Sequence, residues 1–199
     1  MIQLIEKTPT MLFSKKLVHI KHIQFITKDL EKIDDVRKLG EKKRYLYQTY
    51  IIQLVASWQG FIETLLTKTL NKVLSDISND NVKEALKTNL KKQIKRFNTP
   101  NSQNVNELFS SLLGVEKILD RVTFNELSSK EVKKKLEDIL QIRHDIAHTG
   151  NTKNVIGFCE NFDYMKHLFN VAYYLEYIVK TEVLCENIEF EIPYNEENN

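Results

Sequence analysis

The fold is decided by the stretch YLYQTYIIQLVASWQGFIETLLTKTLNKVL, residues 45–74. Its apolar residues occupy nearly every side of a helix and include Ile51, Leu54, Val55, Trp58, Phe61, Ile62, Leu65, Leu66 and Leu70. A helix that is apolar all round is packed on all sides, so we expect it to be the central helix of the protein. Glu63 lies inside the run. Because an unpaired buried carboxylate is costly, we expect Glu63 to face a groove or to have a partner.

Helical periodicity continues on both sides of this stretch, and no segment alternates cleanly with period two. Further helices are predicted at about residues 15–38, 81–97, 105–113, 129–149 and 159–186. Gly40 is expected to end or kink the first of them. We therefore predict an all-α protein. Its predicted parts are an N-terminal arm and amphipathic helix at 1–40, a helical domain at 41–186 and an acidic tail at 187–199.

Composition favours long helices and leaves the total charge uninformative. The chain has 199 residues, enough for one domain with a substantial core, and only 5 Gly and 3 Pro to interrupt regular structure. The formal net charge is +2, so any basic surface that binds nucleic acid must be local.

Cysteine content and hydropathy suggest the compartment. Cys159 and Cys185 are the only cysteines, and we expect both thiols to be buried or half-buried in a reducing environment. The charged N-terminus does not resemble a signal peptide, and no apolar run approaches the length of a membrane span. These features predict a soluble cytoplasmic protein that has no membrane partner.

The predicted helix at 129–149 ends in an unusual cluster of ionisable residues. Ser128 and Glu131 form a capping-box pattern at its start, and Gly150 is a natural stop at its end. Its apolar stripe passes through Val132, Leu136, Ile139 or Leu140, and then Ile146 or Ala147. Arg143 falls in the middle of this stripe. We therefore expect a core-facing guanidinium that needs a carboxylate or a phosphate.

His148 follows Arg143 by five residues, which is about 140° further round an ideal helix. The two side chains would therefore diverge on one regular helix. They converge only if the last turn unwinds before Gly150 or if a second chain supplies the partner.

Three stretches in this order resemble a known family. IRHDIAHTG, residues 142–150, is similar to the Arg-x4-His signature of the HEPN superfamily, in particular the RiboL-PSP-HEPN-like group associated with prokaryotic RNA processing and defence. LVASWQGFIETLL, residues 54–66, resembles the central helix of that group. FNTPNSQNVNELFSSLLG, residues 97–114, resembles its connecting segment. The resemblance spans roughly residues 45–177. It implies an all-α helical bundle that forms a homodimer, with the motif helices facing a shared cleft.

The resemblance also implies a metal-independent endoribonuclease that needs no cofactor and acts as a toxin or antiphage defence effector. Arg143 and His148 would be the catalytic pair, with His144 beside the arginine and with Asp145 and Glu63 in support. Implied partners are an RNA substrate such as transfer RNA, a second copy of the chain, and an antitoxin or trigger protein. Gly150 stands where one branch of the superfamily has a tyrosine that is nucleotidylated, so that mode of regulation is not matched.

The chemistry of cleavage suits these residue types. RNA carries its own nucleophile, the 2′-hydroxyl, so the enzyme must supply a base, an acid and a cation for the charge that develops on the phosphate. Histidine serves as base or acid near neutral pH, and arginine supplies the cation. The products would be a 2′,3′-cyclic phosphate and a 5′-hydroxyl, and DNA would resist cleavage.

Local basic clusters are candidates for holding RNA phosphates. The two favoured clusters are Lys91, Lys92, Lys95 and Arg96, and Lys133, Lys134 and Lys135; a third, residues 42–44, is less favoured. Solvated charge on a helix surface is the simpler interpretation of each.

Two other interpretations of the motif stay open from the sequence. In the first, a non-catalytic dimer of the same fold binds RNA or a protein, with Arg143 paired to Glu63 or Asp145 and His148 capping the helix. In the second, His144 and His148 bind a metal at i, i+4 spacing. The second lacks the glutamate base and the third ligand of zinc hydrolases of that pattern.

Overall fold

The computed structural model describes residues 7–33, 37–154 and 156–189, which form a bundle of six α-helices. These are α1 (Pro9–Glu31), α2 (Leu39–Ser75), α3 (Asp80–Arg96), α4 (Ser102–Leu113), α5 (Ser129–Thr149) and α6 (Phe158–Ile178). A 3₁₀ turn, Ile118–Arg121, precedes α5, and a π-helical turn, Val179–Val183, follows α6. Within the described residues the sole β-type pairing is an isolated bridge between Phe124 and Leu127, so the all-α prediction is confirmed.

The centre of the bundle is α2, as its all-round apolar character predicts. Its side chains Tyr50, Trp58 and Phe61 are among the largest fully or nearly fully buried groups of the protein. The Trp58 and Phe61 rings stack with centroids 5.6 Å apart, and Phe13 of α1 packs on Phe61 at 5.3 Å. Helices α1, α4, α5 and α6 all pack against α2.

The first helix begins and ends earlier than its periodicity predicts. The Thr8 side chain accepts a hydrogen bond from the Met11 amide and Pro9 occupies the first turn, so α1 starts at a proper N-cap. It ends at Glu31. Gly40 does not terminate α1, because it lies in the first turn of α2.

A buried carboxylate fastens the start of α1 to the end of α6. Glu176 is buried and accepts hydrogen bonds from the Thr10 amide and from Lys180 Nζ, both at 2.6 Å. Burial by itself would raise the pKa of Glu176, but the hydrogen bonds from Lys180 and Thr10 outweigh it and hold the pKa below its ordinary value. This cross-link joins residues 166 positions apart in the chain.

Two sequence expectations concern exposure. Cys159 and Cys185 are free, exposed thiols, so the expectation that they are buried is wrong. They lie at the two ends of the α6 region, beyond the packed stripe of that helix. Among the helices that the structure describes, none combines the length and apolar character that a membrane crossing requires.

His167, by contrast, is a core residue with its own chemistry. Its Nε2 lies 3.0 Å from the Val132 carbonyl oxygen of α5, to which it donates in the neutral ring, and its Nδ1 is buried without a hydrogen-bond partner among the described residues. Burial, together with the nearby Lys135 charge, lowers the pKa of His167 from 6.5 to about 4, against the opposing effect of the hydrogen bond to the Val132 carbonyl.

His167 should therefore make stability depend on pH. Because its folded pKa lies below its unfolded pKa, its contribution is fully present above pH 6.5 and is lost as the pH falls towards about 4. We expect this residue to remove about 3 kcal/mol of unfolding free energy across that interval. The measurement is urea unfolding at a series of pH values.

His167→Gln is the matched control, since an amide can still donate to the Val132 carbonyl but does not titrate. The difference in unfolding free energy between wild type and this variant isolates His167 from carboxylates such as Glu176, which lose their own stabilisation in acid. A difference that stays constant between pH 6.5 and 4 would contradict the assignment.

Candidate active site at the end of α5

Three ionisable side chains of the motif lie together in solvent on the last two turns of α5. Arg143, His144 and His148 are all exposed. The helix stays α-helical through Thr149, and Gly150 ends it in the left-handed conformation, with φ of 69°, while its amide bonds the Ile146 carbonyl. The last turn therefore does not unwind, and the capping box of Ser128 and Glu131 predicted at the other end is present.

The expectation that Arg143 faces the core is wrong. The buried stripe of α5 passes through Leu136 and then Ile139, Ile142 and Ile146, whose spacing of three and four residues turns the contact face of the helix. Arg143 is exposed although an ideal helical projection places it on the same side as Leu136 and Ile139, so the packing of neighbouring elements stops short of it. Its guanidinium forms no ion pair or hydrogen bond with any residue that the structure describes.

The two histidines are neighbours. Their ring centroids are 4.3 Å apart with an interplanar angle of 47°, as expected for residues at i, i+4 on one helical face. Within the described chain neither ring has a hydrogen-bond partner or an ion pair. Both imidazoles are therefore available to an external ligand.

Asp145 is engaged on its own helix. Its Oδ1 accepts a hydrogen bond from Gln141 Nε2 at 2.7 Å, and its carbonyl accepts one from the Thr149 hydroxyl at 2.7 Å. The Thr149 hydroxyl also bonds the Asn151 carbonyl at 2.9 Å, which stiffens the turn that leaves the helix. Asp145 thus supports the shape of the helix end, and the Arg143–Asp145 pair of the non-catalytic interpretation is not formed.

Glu63 does not join the motif within one chain. Gln59 donates to Glu63 Oε1 at 2.9 Å and to the Phe97 carbonyl at 2.9 Å, so this carboxylate belongs to a network between α2 and the end of α3. The motif end of α5 meets α2 at Gln48 instead. Fifteen residues separate Gln48 from Glu63, a distance of about 22 Å along a helix.

Gln48 is the positioning residue that sequence reasoning missed. This buried side chain donates from Nε2 to the Gly150 carbonyl at 3.2 Å and so holds the end of α5 against the central helix. At the adjacent residue of α2, the Tyr47 carbonyl accepts a hydrogen bond from Asn161 of α6 at 3.3 Å. The available signal was a glutamine inside an otherwise apolar run.

Exposed apolar side chains lie next to this contact. Tyr45 and Ile52 stand three residues before and four residues after Gln48, so they share its side of α2. They are 57% and 38% exposed. Large apolar groups left open beside a charged cluster are typical of an interaction surface.

The two favoured basic clusters differ in the exposure and the ion pairing of their side chains. On the outer face of α3, Lys91, Lys92, Lys95 and Arg96 are all exposed, and none forms an ion pair with the described residues. On α5, Lys133 is paired with Asp120, Lys134 is exposed, and Lys135 is half-buried near His167. The α3 cluster is the more accessible of the two.

In the part of the chain that the structure covers, no three His, Cys, Asp or Glu side chains form a group that could hold a metal ion.

No curated protein and no solved structure matches the chain. A family model described as RiboL-PSP-HEPN matches residues 20–188, most of the chain and all six helices at least in part. The chain therefore belongs to the RiboL-PSP-HEPN family.

Proposed function

We propose that this protein is a metal-independent endoribonuclease of HEPN type that acts as a homodimer. The observation that supports the proposal most is the end of α5: Arg143, His144 and His148 are exposed on its last two turns, and none has an ion pair or hydrogen bond among the described residues. A structural ion-pair network would have used these charges internally. A site open to solvent suits a polymer, whose phosphate can approach from outside.

In the proposed reaction, the RNA 2′-oxygen attacks the adjacent phosphorus while one histidine takes the proton of the 2′-hydroxyl. The bond from phosphorus to the 5′-oxygen breaks, and that oxygen leaves with a proton from a protonated histidine. A 2′,3′-cyclic phosphate and a 5′-hydroxyl result. The Arg143 guanidinium stabilises the negative charge that develops on the phosphate oxygens in the transition state.

Two features support a dimer. On the regular α5 helix Arg143 and His148 diverge by about 140°, so one chain does not aim both at one phosphate. A second motif facing the first would place an arginine of one subunit opposite a histidine of the other. The exposed Tyr45 and Ile52 beside Gln48 supply apolar surface for such a contact.

The biological setting extends the same proposal. An endoribonuclease without control would damage its own cell, so we place this protein among cytoplasmic toxins or antiphage defence effectors, with an antitoxin or trigger protein as its regulator. Residues 41–186 remain the predicted catalytic unit. Membership of the RiboL-PSP-HEPN family supports this setting.

The test is cleavage of transfer RNA and total RNA by the purified protein in the presence of EDTA, with the new ends mapped chemically. We expect cyclic phosphate and 5′-hydroxyl ends from RNA and no cleavage of DNA of the same sequence. Activity that requires added metal would overturn the mechanism. If the intact dimer binds RNA but does not cleave it, even after candidate trigger proteins are added, the non-catalytic binding module is favoured.

The α3 cluster should contribute to RNA affinity. We expect the double variant Lys91→Ala, Lys95→Ala to weaken binding and to reduce the slope of log affinity against log salt by about 1.4, because each single-strand phosphate contact contributes about 0.7. Fluorescence anisotropy with a labelled RNA over a salt series measures both quantities.

Lys133→Ala is the matched control for that experiment. Its ammonium is already paired with Asp120, so removing it should change the salt slope little. An unchanged slope in the α3 double variant would show that the α3 cluster is an ordinary solvated face and that RNA is held elsewhere.

A further inference from the structure

The outer face of α1 carries large apolar side chains that nothing in the described chain covers. Met11, Val18, Phe25, Ile26 and, just after the helix, Ile33 are between 47% and 57% exposed. The opposite face of the same helix is packed on α2 and α6 through Phe13, Leu17 and Ile20. This helix is therefore apolar on both faces, as expected for a helix with a second partner.

Seven exposed residues form one line along α1 and the turn after it, which we call the outer stripe. It consists of Met11, Lys15, Val18, His22, Ile26, Asp29 and Ile33. Successive members are three or four residues apart, so the six that belong to α1 lie within about 40° of His22 on a helical projection, and Ile33 continues the line in the turn after the helix. All seven are exposed.

The residues of the outer stripe are arranged symmetrically about His22. Val18 and Ile26 are four residues away on either side, and Met11 and Ile33 are eleven residues away. Between them, seven residues from His22, stand Lys15 on one side and Asp29 on the other. Apolar positions are thus matched by apolar positions, and the cation is matched by an anion.

That pattern is what an antiparallel pair of identical helices requires. A two-fold axis through His22 places Val18 against Ile26 of the partner subunit and Met11 against Ile33 of the partner subunit. It also places Lys15 against Asp29 of the partner subunit, and by symmetry the contact contains this ion pair two times. A two-fold contact uses the same patch on both subunits, so the patch must be complementary to its own rotated copy.

We propose that the outer stripe of α1 binds the outer stripe of a second copy of this chain, antiparallel and with the two-fold axis at His22. The contact is a self-association surface distinct from the dimer at the α5 motif. α1 packs chiefly on α2 and α6, whereas the motif lies at the end of α5. Two different two-fold contacts on one chain join dimers into a closed tetramer or an open filament.

The charges around Lys15 favour this occupant. Lys15 lies close to Lys7, and the proximity and like charge of that side chain lower the pKa of Lys15. A carboxylate of a second chain would relieve that repulsion. Among the described residues Asp29 pairs with Lys32 at 2.9 Å, with both side chains largely exposed, and such a pair costs little to rearrange.

A charge-exchange series tests the register. Lys15→Asp and Asp29→Lys singly put like charges opposite each other, and each should weaken the association at least about tenfold. The double variant restores opposite charges in the antiparallel register and should recover the wild-type mass. Sedimentation equilibrium over a wide concentration range reads the mass, with Lys87→Asp on α3 as the matched control. Since one helix pair is a small interface, the association should be visible as a concentration dependence.

Cross-linking tests the axis. In a Cys159→Ser, Cys185→Ser background, His22→Cys should form an intermolecular disulfide readily, because residues on a two-fold axis face their own copies. Lys87→Cys, exposed on α3, should not. The proposal is overturned if Lys15→Asp, Asp29→Lys, their double variant and Lys87→Asp all have the same mass at every concentration. It is also overturned if His22→Cys and Lys87→Cys form intermolecular disulfides equally. If the wild-type protein does not cleave RNA while the masses of the charge variants differ as expected, the proposed function alone is contradicted.

Discussion

His148→Ala is expected to lower the rate of RNA cleavage by about 10²- to 10⁴-fold while leaving the fold and the dimer intact. The side chain is exposed and touches only His144 among the described residues, so its removal creates no cavity and breaks no hydrogen bond. The loss should therefore appear in the rate of cleavage and not in unfolding free energy. Single-turnover cleavage with EDTA present, together with thermal unfolding of the same samples, separates the two effects.

His19→Ala is the matched control for this experiment. His19 is also an exposed histidine on a helix, but it lies on α1 and not at the motif. Its removal should leave cleavage within about twofold of wild type. If His148→Ala and His19→Ala cleave RNA equally well, His148 is not catalytic. A loss in His148→Ala accompanied by unfolding would point instead to a structural role.

A mixture of two inactive variants is expected to regain activity. Arg143→Ala and His148→Ala should each be nearly inactive alone. If each active centre combines Arg143 of one subunit with His148 of the other, a mixed dimer has one complete centre and one empty centre. Random assortment makes half of the dimers mixed, so the mixture should show about a quarter of wild-type activity. Co-refolding of the two variants and an end-mapped cleavage assay measure this recovery.

The geometry of α5 is the reason to expect recovery. Its regular last turn keeps Arg143 and His148 of one chain about 140° apart, so a centre built within one chain would need the helix to unwind. Each variant co-refolded with itself is the background control. A mixture no more active than that background, although mixed dimers are present by mass, would place both residues of a centre in the same chain.

Much of the fold follows from local sequence patterns. The apolar circumference of residues 45–74 predicts the central position of α2, and Ser128, Glu131 and Gly150 predict both ends of α5. These patterns act within one or two helical turns, so they can be read without knowledge of neighbours. The start of α1 at Pro9 does not follow from apolar spacing, although Thr8 and Pro9 are a cap and a first-turn residue that mark it.

The candidate site shows where local patterns fail. The ideal wheel puts Arg143 on the apolar stripe, but the helix meets its neighbours through Ile139, Ile142 and Ile146, and contact decides exposure. Gln48 and Glu176 have partners more than a hundred residues away in the chain, at Gly150 and Thr10. No spacing rule connects such positions. The type of chemistry could be inferred from the motif, whereas the groups that hold it in place required the structure.

The hydrogen bond from the Thr10 amide to Glu176 also bears on how the chain is made. During synthesis α1 leaves the ribosome before α2 to α6 and can pack on α2, but Glu176, which binds its N-terminal end, is added 166 residues after Thr10. A contact of such long range closes late, because the intervening chain must first be ordered. Of the six helices, α1 is synthesised before the others, but the contact that holds its N-terminal end forms only after Glu176 of α6 has been added. A product that terminates early, before α6 is complete, has a loose first helix and lies open to proteases.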